Sequence, residues 1–260
     1  MAKKSGQARV LTPDEITHTL DVIKDHRHPE KNRAIMLISF RLGLRVQEIA
    51  LLEIKEVAKL NAAGTDFHIL EMMKLPAAYT KGANSNNKET YKRRNVSFTV
   101  DEFDRIVRQI ERLAKAGADI NPQDFHPAVK THKGQSRDLP LVDQQLIEAL
   151  QEHLALRLAK QGRLQPSDPL FVTQKGGRYS PGTLQEHMAL ILSGWAGLER
   201  ASSHSGRRTL ITDILHSQNM PLKIAQKAAG HKNGSTTLIY AQPTDEQIAE
   251  AFKGLASISS

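Results

Sequence analysis

Ile16, Leu20 and Ile23 recur at intervals of three and four residues, the spacing that puts side chains on one face of a helix. Just before them stand Thr12, Pro13 and Glu15. A threonine cap, a proline in the first turn and a glutamate three residues after the cap make a strong helix start. A second apolar helix is predicted through RAIMLISFRL (33–42), stopping near Gly43, and a third opens at once in VQEIALLEI (46–54). From about residue 66 the pattern changes. FHILEMM (67–73) and NVSFTV (95–100) read as short β-prone runs. Phe103, Ile106, Val107, Ile110 and Leu113 then mark an amphipathic helix, and a loop with two prolines follows over 117–130.

HKGQSRDLPLV (132–142) reads as a tight turn followed by a strand, and DPLFVTQKGGRYSP (168–181) as a strand-like run and a glycine-rich turn. Between them Leu146, Leu150 and Leu154 begin a helix. Leu184, Met188, Ile191 and Trp195 line a face of the next, and Leu210, Ile211, Ile214 and Leu215 do the same after a basic turn. A short helix ends at Gly230 in KIAQKAAGH, and Ile248, Phe252 and Leu255 form a small amphipathic tail helix within 243–260. No internal repeat is evident. The expected fold class is mostly α with a small antiparallel β-sheet, α+β, with one or two such sheets.

Composition narrows the chemistry. With 260 residues, 39% of them apolar, the chain can bury a sizeable core. The net charge of +8 favours an acidic partner, of which nucleic acid is the commonest, although charge alone does not decide it. There is no cysteine, which excludes disulfides, thiolate catalysis and zinc–thiolate sites. The basic leader, residues 1–10, lacks the apolar run of a signal peptide, and no window reaches the length of a membrane span. The expectation is a soluble, cytoplasmic protein with no membrane partner. The stretch TKGANSNNKETYKRR (80–94) carries Lys81, Lys88, Lys92, Arg93 and Arg94 against a single glutamate. It reads either as a mobile solvated loop or as a nucleic-acid contact.

Four separated pieces carry the chemistry. RLGLRVQEI places Arg45 just after a helix-ending glycine. HKGQSRDLPL places Lys133 at the hairpin turn, with Lys81 in YTKGANS as its rival. HSGR sets His204 and Arg207 three apart, on one helix face if helical. GHKNGSTTLIY sets His231 nine residues before Tyr240. In this order, from about Leu11 to Tyr240, they resemble the tyrosine recombinase (phage integrase) family. Its members carry a G-L-R-x-x-E segment, a hairpin lysine, an H-x-x-R pair, and a G-H segment followed about nine residues on by the nucleophilic tyrosine. Taken singly, each residue has a plain structural explanation; the ordered set is what carries the resemblance. Two departures stand out. The family usually has leucine where this chain has Gly206 and often histidine where it has Arg208. The hairpin lysine also comes late, which implies an insertion within 66–130.

The resemblance implies a catalytic domain over 11–242 that cuts and rejoins double-stranded DNA through a 3′-phosphotyrosyl intermediate, in integration, excision or inversion of a mobile element. Arg45, Arg207 and His231 would bind the phosphate oxygens, Tyr240 would attack, His204 would act as base and Lys133 as acid. Glu48 would orient Arg45, and Arg208 would face solvent or a DNA phosphate. The physics agrees with this reading: guanidinium forks suit an anionic transition state, and a tyrosine of pKa about 10 needs a cationic pocket to become a nucleophile. No metal or cofactor is required, and the sequence offers no acidic cluster for Mg²⁺. The resemblance further implies a homo-oligomer, a tetramer in the synaptic complex, with accessory DNA-bending proteins, in a prokaryotic or phage nucleoid. Only about ten residues precede the helix at Thr12, so a separate DNA-clamping domain is not expected. The tail either packs on a neighbouring protomer or on its own domain. Two alternatives stand beside this reading: a DNA-relaxing enzyme of the type I topoisomerase kind, and a DNA-binding regulator that kept the fold without the catalysis.

Overall fold

The computed structural model describes residues 8–79, 99–120, 136–218, 220–231 and 233–240. Lys81, Lys88, Lys92, Arg93, Arg94, Lys133, most of the leader and the tail helix lie outside these residues. The chain divides into two compact units, one formed by residues 1–81 and 135–260, the other by residues 82–134.

In the larger unit, α1 (Pro13–Ile23) starts as the sequence predicts: Thr12 and Glu15 form a reciprocal capping box. Helix α2 (Pro29–Leu37) runs on into a wide π turn, Ile38–Leu42, that ends at Gly43 with φ 58. Helix α3 (Val46–Leu51) follows directly, with Arg45 at its N-cap. Two small antiparallel sheets come next. Strands β1 (Ala58–Leu60) and β2 (Phe67–Ile69) pair Ala58 with Ile69. Strand β3 (Met72–Leu75) pairs with a strand far along the chain, Arg137–Pro140, setting Met73 against Leu139 and Leu75 against Arg137.

The smaller unit contributes α4 (Val100–Lys115). Its apolar stripe is present, yet none of its residues is buried. Thr99 and Val100, expected at the end of a β-run, instead open this helix. Thr99 and Glu102 form a capping box, and that chemistry outweighs the β-propensity of the preceding residues.

After β4 (Arg137–Pro140), the larger unit continues with α5 (Gln144–Gln161), α6 (Pro181–Ala189) with its own π extension Leu190–Trp195, α7 (Ser205–His216), α8 (Leu222–Ala229) and α9 (Gly234–Leu238). The strand expected in DPLFV forms only single bridges, Glu53 with Pro169 and Val172 with Arg178; Pro169 has no N–H to extend a ladder. The short strand β1 was not expected. Among the described residues no helix is long and apolar enough to cross a membrane.

One large core joins the apolar faces of α2, α3, α5 and α6, with Ile35, Met36, Leu37, Ile49, Leu150, Leu154 and Leu184 fully enclosed. A second, smaller core of Ile211, Ile214, Ala225 and Ala229 joins α7 to α8, and Tyr240 packs against it. Two histidines belong to the large body. His153 lies 2.9 Å from the Leu170 carbonyl, and burial pushes its pKa down to about 4. His187 lies 2.8 Å from Asn32 Oδ1 and is pushed down to about 4, first by burial and then by Lys31. Both are neutral in the fold, whereas an unfolded chain protonates them near the ordinary value of about 6.5. The unfolded state therefore takes up protons first, and stability falls as pH drops from about 6.5 towards 4. The urea midpoint is expected to be lower at pH 5 than at pH 7, with a shallower decline for His153→Gln.

Candidate active site

The site is built where three helix ends meet. The π turn closes α2 at Gly43, and the left-handed residue redirects the chain so that Arg45 caps α3 with its side chain half-exposed. A Cβ at Gly43 would stand 2.8 Å from the Leu210 side chain, so its glycine serves both conformation and close packing.

Glu48, one turn into α3, is completely buried. Its carboxylate accepts from the Arg45 backbone N–H at 2.8 Å and from Arg45 Nη1 at 3.0 Å. It also accepts from Arg137 Nη2 at 2.8 Å. The expected role of Glu48 in orienting Arg45 matches this geometry; the third bond was not anticipated. Arg137 alternates in phase with the buried Leu139 along β4, and this is the signal in the sequence that could have revealed it: an arginine on the inner face of a strand. Its Nη1 donates to the Ala228 carbonyl at 2.9 Å. Burial lowers its pKa, and the neighbouring Glu48 carboxylate opposes the shift.

Arg207 lies in the first turn of α7 and is only 5% exposed. Nη1 donates to the Gly43 carbonyl at 2.8 Å, and Nη2 to the Ala229 carbonyl. Arg207 and Arg137 thus grip consecutive carbonyls at the C-terminus of α8, the negative end of the helix. Burial, then repulsion from Arg45, pushes the Arg207 pKa down to about 9, so it stays charged at neutral pH. Two carbonyl bonds use two of its five N–H groups. Gly206, where the resemblance leads to an expectation of leucine, has a packing reason. A Cβ there would stand 2.4 Å from Ser39 Oγ and 2.9 Å from the Ser39 carbonyl carbon, so α7 approaches the π turn closely enough to admit only hydrogen. His204, expected to share a helix face with Arg207, is the N-cap of α7 and is exposed, whereas Arg207 points inward.

His231 follows the left-handed Gly230 that ends α8. A Cβ at Gly230 would meet Arg137 Cδ at 2.5 Å. His231 Nδ1 lies 2.9 Å from the buried Thr237 hydroxyl on α9. Burial, followed by Arg207, Arg45 and Arg137, pushes its pKa down to about 4, so the ring is neutral. The Tyr240 ring is stacked near that of His231, with centroids 6.0 Å apart, and the Arg208 guanidinium lies over the tyrosine ring, 5.8 Å from its centroid. Arg208 is therefore half-buried beside the tyrosine instead of simply facing solvent. The Tyr240 carbonyl is held 2.9 Å from His216 Nε2. Arg137, Thr237 and His216 are thus the site residues that sequence reasoning missed.

Arg45 and Arg137 share the buried carboxylate Glu48, and Arg207 beside them is held by carbonyls, leaving a surplus of positive charge beside a tyrosine and a neutral histidine. This arrangement is suited to an anion that gains negative charge during reaction. Glu48→Gln removes the counter-charge from two arginines, one of them buried, and is expected to lower stability by about 3–5 kcal/mol in urea unfolding. Gly206→Ala is expected to cost about 1–3 kcal/mol in the same measurement, because Ser39 backbone must yield.

Known proteins share parts of this chain. A tyrosine recombinase XerC of Myxococcus xanthus is 30% identical over 123 residues, 46% of this chain and 41% of that protein. XerC of Methylobacterium sp. strain 4-46 is 36% identical over 122 residues, 46% of this chain and 37% of that protein. The match thus spans about two-fifths of these relatives' length. Among solved structures, the XerA recombinase superposes with a TM-score of 0.58 at 18% identity, covering 95% of this chain and 65% of that one. The Tn1549 transposon integrase in complex with transposon right end DNA superposes at 0.57 with 16% identity, covering 98% and 69%. At such identities the likeness is one of fold: mostly helical with small antiparallel sheets. Residues 113–247 match the phage integrase family model. That span is just over half of the chain and contains Arg137, His204, Arg207, His231 and Tyr240, and the chain accordingly belongs to the phage integrase family.

Proposed function

We propose that this chain cuts and rejoins double-stranded DNA at specific sites, with Tyr240 as the nucleophile. The observation that carries the reading is a cluster of three arginines, two of them paired with one buried carboxylate and the third held by helix-end carbonyls, beside a neutral histidine and the tyrosine. Arg45 and Arg207 bind the non-bridging oxygens of the scissile phosphate, each with N–H groups to spare. In the tautomer whose Nδ1 accepts from the Thr237 hydroxyl, His231 offers its Nε2–H as a further donor. The Tyr240 oxygen attacks phosphorus and the bond to the 5′-oxygen breaks, leaving a 3′-phosphotyrosyl bond and a 5′-hydroxyl. His204 takes the tyrosine proton, and Lys133 protonates the leaving oxygen. A 5′-hydroxyl from a second strand reverses the step, so no external energy source is consumed.

The wider setting belongs to the same proposal. β3 and β4 are hydrogen-bonded neighbours although residues 76–136 separate them, which supports reading much of that stretch as an insertion in a hairpin. Its basic residues Lys81, Lys88, Lys92, Arg93 and Arg94 contact the DNA backbone. The enzyme works as a tetramer in the synapse, its tail packed on a neighbour, and acts in the cytoplasm on nucleoid DNA. Accessory DNA-bending proteins assist it.

The test is covalent trapping. Wild-type protein is incubated with fragmented genomic DNA and denatured, and DNA still attached to protein is sequenced. Recovery concentrated at one site is expected for the wild type and none for Tyr240→Phe. Arg207→Lys, which cannot fork between two carbonyls and a phosphate, is expected to lower the yield about 10²–10³-fold. Equal recovery from wild type and Tyr240→Phe would sink the proposal and favour a DNA-binding regulator.

A further inference from the structure

A second basic centre lies at the opposite end of α2 from Arg45. Fourteen residues of helix and π turn, 29–42, intervene, or about 20 Å at 1.5 Å per residue. Here a cavity of about 320 Å³ opens between the start of α2, the end of α5 and the turn at 173–176. Arg27, Lys31, Arg157 and Lys160 line it, with Glu30 as the one carboxylate among the lining residues. Among the described residues no carboxylate lies within salt-bridge distance of any of the four cations.

Two of these cations are recessed. Lys31 is 8% exposed; its Nζ donates to the Val172 carbonyl at 3.2 Å and to the Tyr179 hydroxyl at 3.1 Å, leaving one N–H. Arg157 is 7% exposed and donates to the Pro169 and Leu170 carbonyls and to Gln161, while its buried Nε has no partner. Burial and then Lys160 pull the Lys31 pKa down, so the cations sense one another. The N-terminus of α2 adds to the positive potential, and its N-cap His28, at φ 60, supplies no side-chain cap. Glu30 on the lining and Asp168, which acts on Arg157 from beyond ion-pair distance, offset this charge only in part, and gathering surplus like charges in a recess is costly unless an anion neutralises them. Carbonyl contacts alone satisfy the donors without balancing the charge.

We propose that this cavity binds a phosphate group, independently of the chemistry at Tyr240. A phosphate carries charge to match the surplus and enough oxygens to accept from Lys31, Arg157 and the rim cations together. Such a group comes either from a DNA backbone or from free phosphate, and the two sources are separable by experiment.

The measurement is amide NMR of the full chain. Thr173 and Gly176 report on the cavity, Gly43 and Gly230 on the arginine cluster. Inorganic phosphate, added against chloride at matched ionic strength, is expected to shift Thr173 and Gly176. In the double variant Arg27→Gln/Lys160→Gln, whose changes are both at exposed positions, the half-saturating concentration at those amides is expected to rise at least about tenfold. A DNA duplex in phosphate-free buffer then identifies the source. If the backbone supplies the phosphate, the duplex shifts the same amides, and the variant's salt slope for DNA binding falls by about 2. If free phosphate is the ligand, the duplex leaves them unmoved and the slope is unchanged. Either pattern supports the cavity. The proposal is overturned if neither phosphate nor duplex moves Thr173 and Gly176, or if the double variant responds like the wild type. Failure of the strand-transfer reading would appear separately, in the Tyr240 adduct.

Discussion

The Glu48 carboxylate is the contact on which the cluster depends. It is wholly enclosed and accepts from Arg45 on its own helix and from Arg137 on a strand that arrives much later in the chain. Without it, two guanidinium groups and the nearby Arg207 would face one another with only carbonyl dipoles between them. A buried ion pair of this kind is a weak source of net stability, because desolvation offsets the attraction. What it supplies is placement: Arg45 is bonded through both backbone and side chain, and its remaining N–H groups are left to face outward.

Helix ends provide the rest of the counter-charge. Arg137 and Arg207 bind successive carbonyls, Ala228 and Ala229, where α8 stops, and Arg207 also binds the Gly43 carbonyl where the π turn stops. These are groups that a helix leaves unpaired and that carry its negative end. The cluster is thus assembled from two helix C-termini, and each termination uses a left-handed glycine, Gly43 or Gly230. Arg207 in turn keeps its position because Gly206 lets α7 settle against Ser39. A change at any of these glycines would act on the arginines without touching them.

The two basic centres of the larger unit differ in how their charge is handled. The arginine cluster has an internal carboxylate and carbonyl acceptors, so it is partly neutralised before any ligand arrives. The cavity at the start of α2 has carbonyl and hydroxyl acceptors but no paired carboxylate. Pre-neutralisation fits a site that must respond to charge developing during a reaction, and its lack fits a site that simply holds an anion.

The sequence alone determined the parts governed by local rules. The capping box at Thr12, the helix stops at Gly43 and Gly230, the apolar faces of α5 and α6, and the ordered set of Arg45, His204, Arg207, His231 and Tyr240 were all legible, because helical period, capping and motif spacing are encoded within a few residues. Local rules also misled where two of them competed, as at Thr99, where a cap prevailed over β-propensity. Tertiary structure alone decided that Arg137 shares Glu48, that Arg208 lies over Tyr240, that His204 is exposed while Arg207 is buried, and that Gly206 is required by Ser39. Each of these joins residues from separate elements, and a one-dimensional pattern carries no distance between them. Burial and the company of like charges, which set the ionisation of His231 and Arg207, exist only once the chain has brought those elements together.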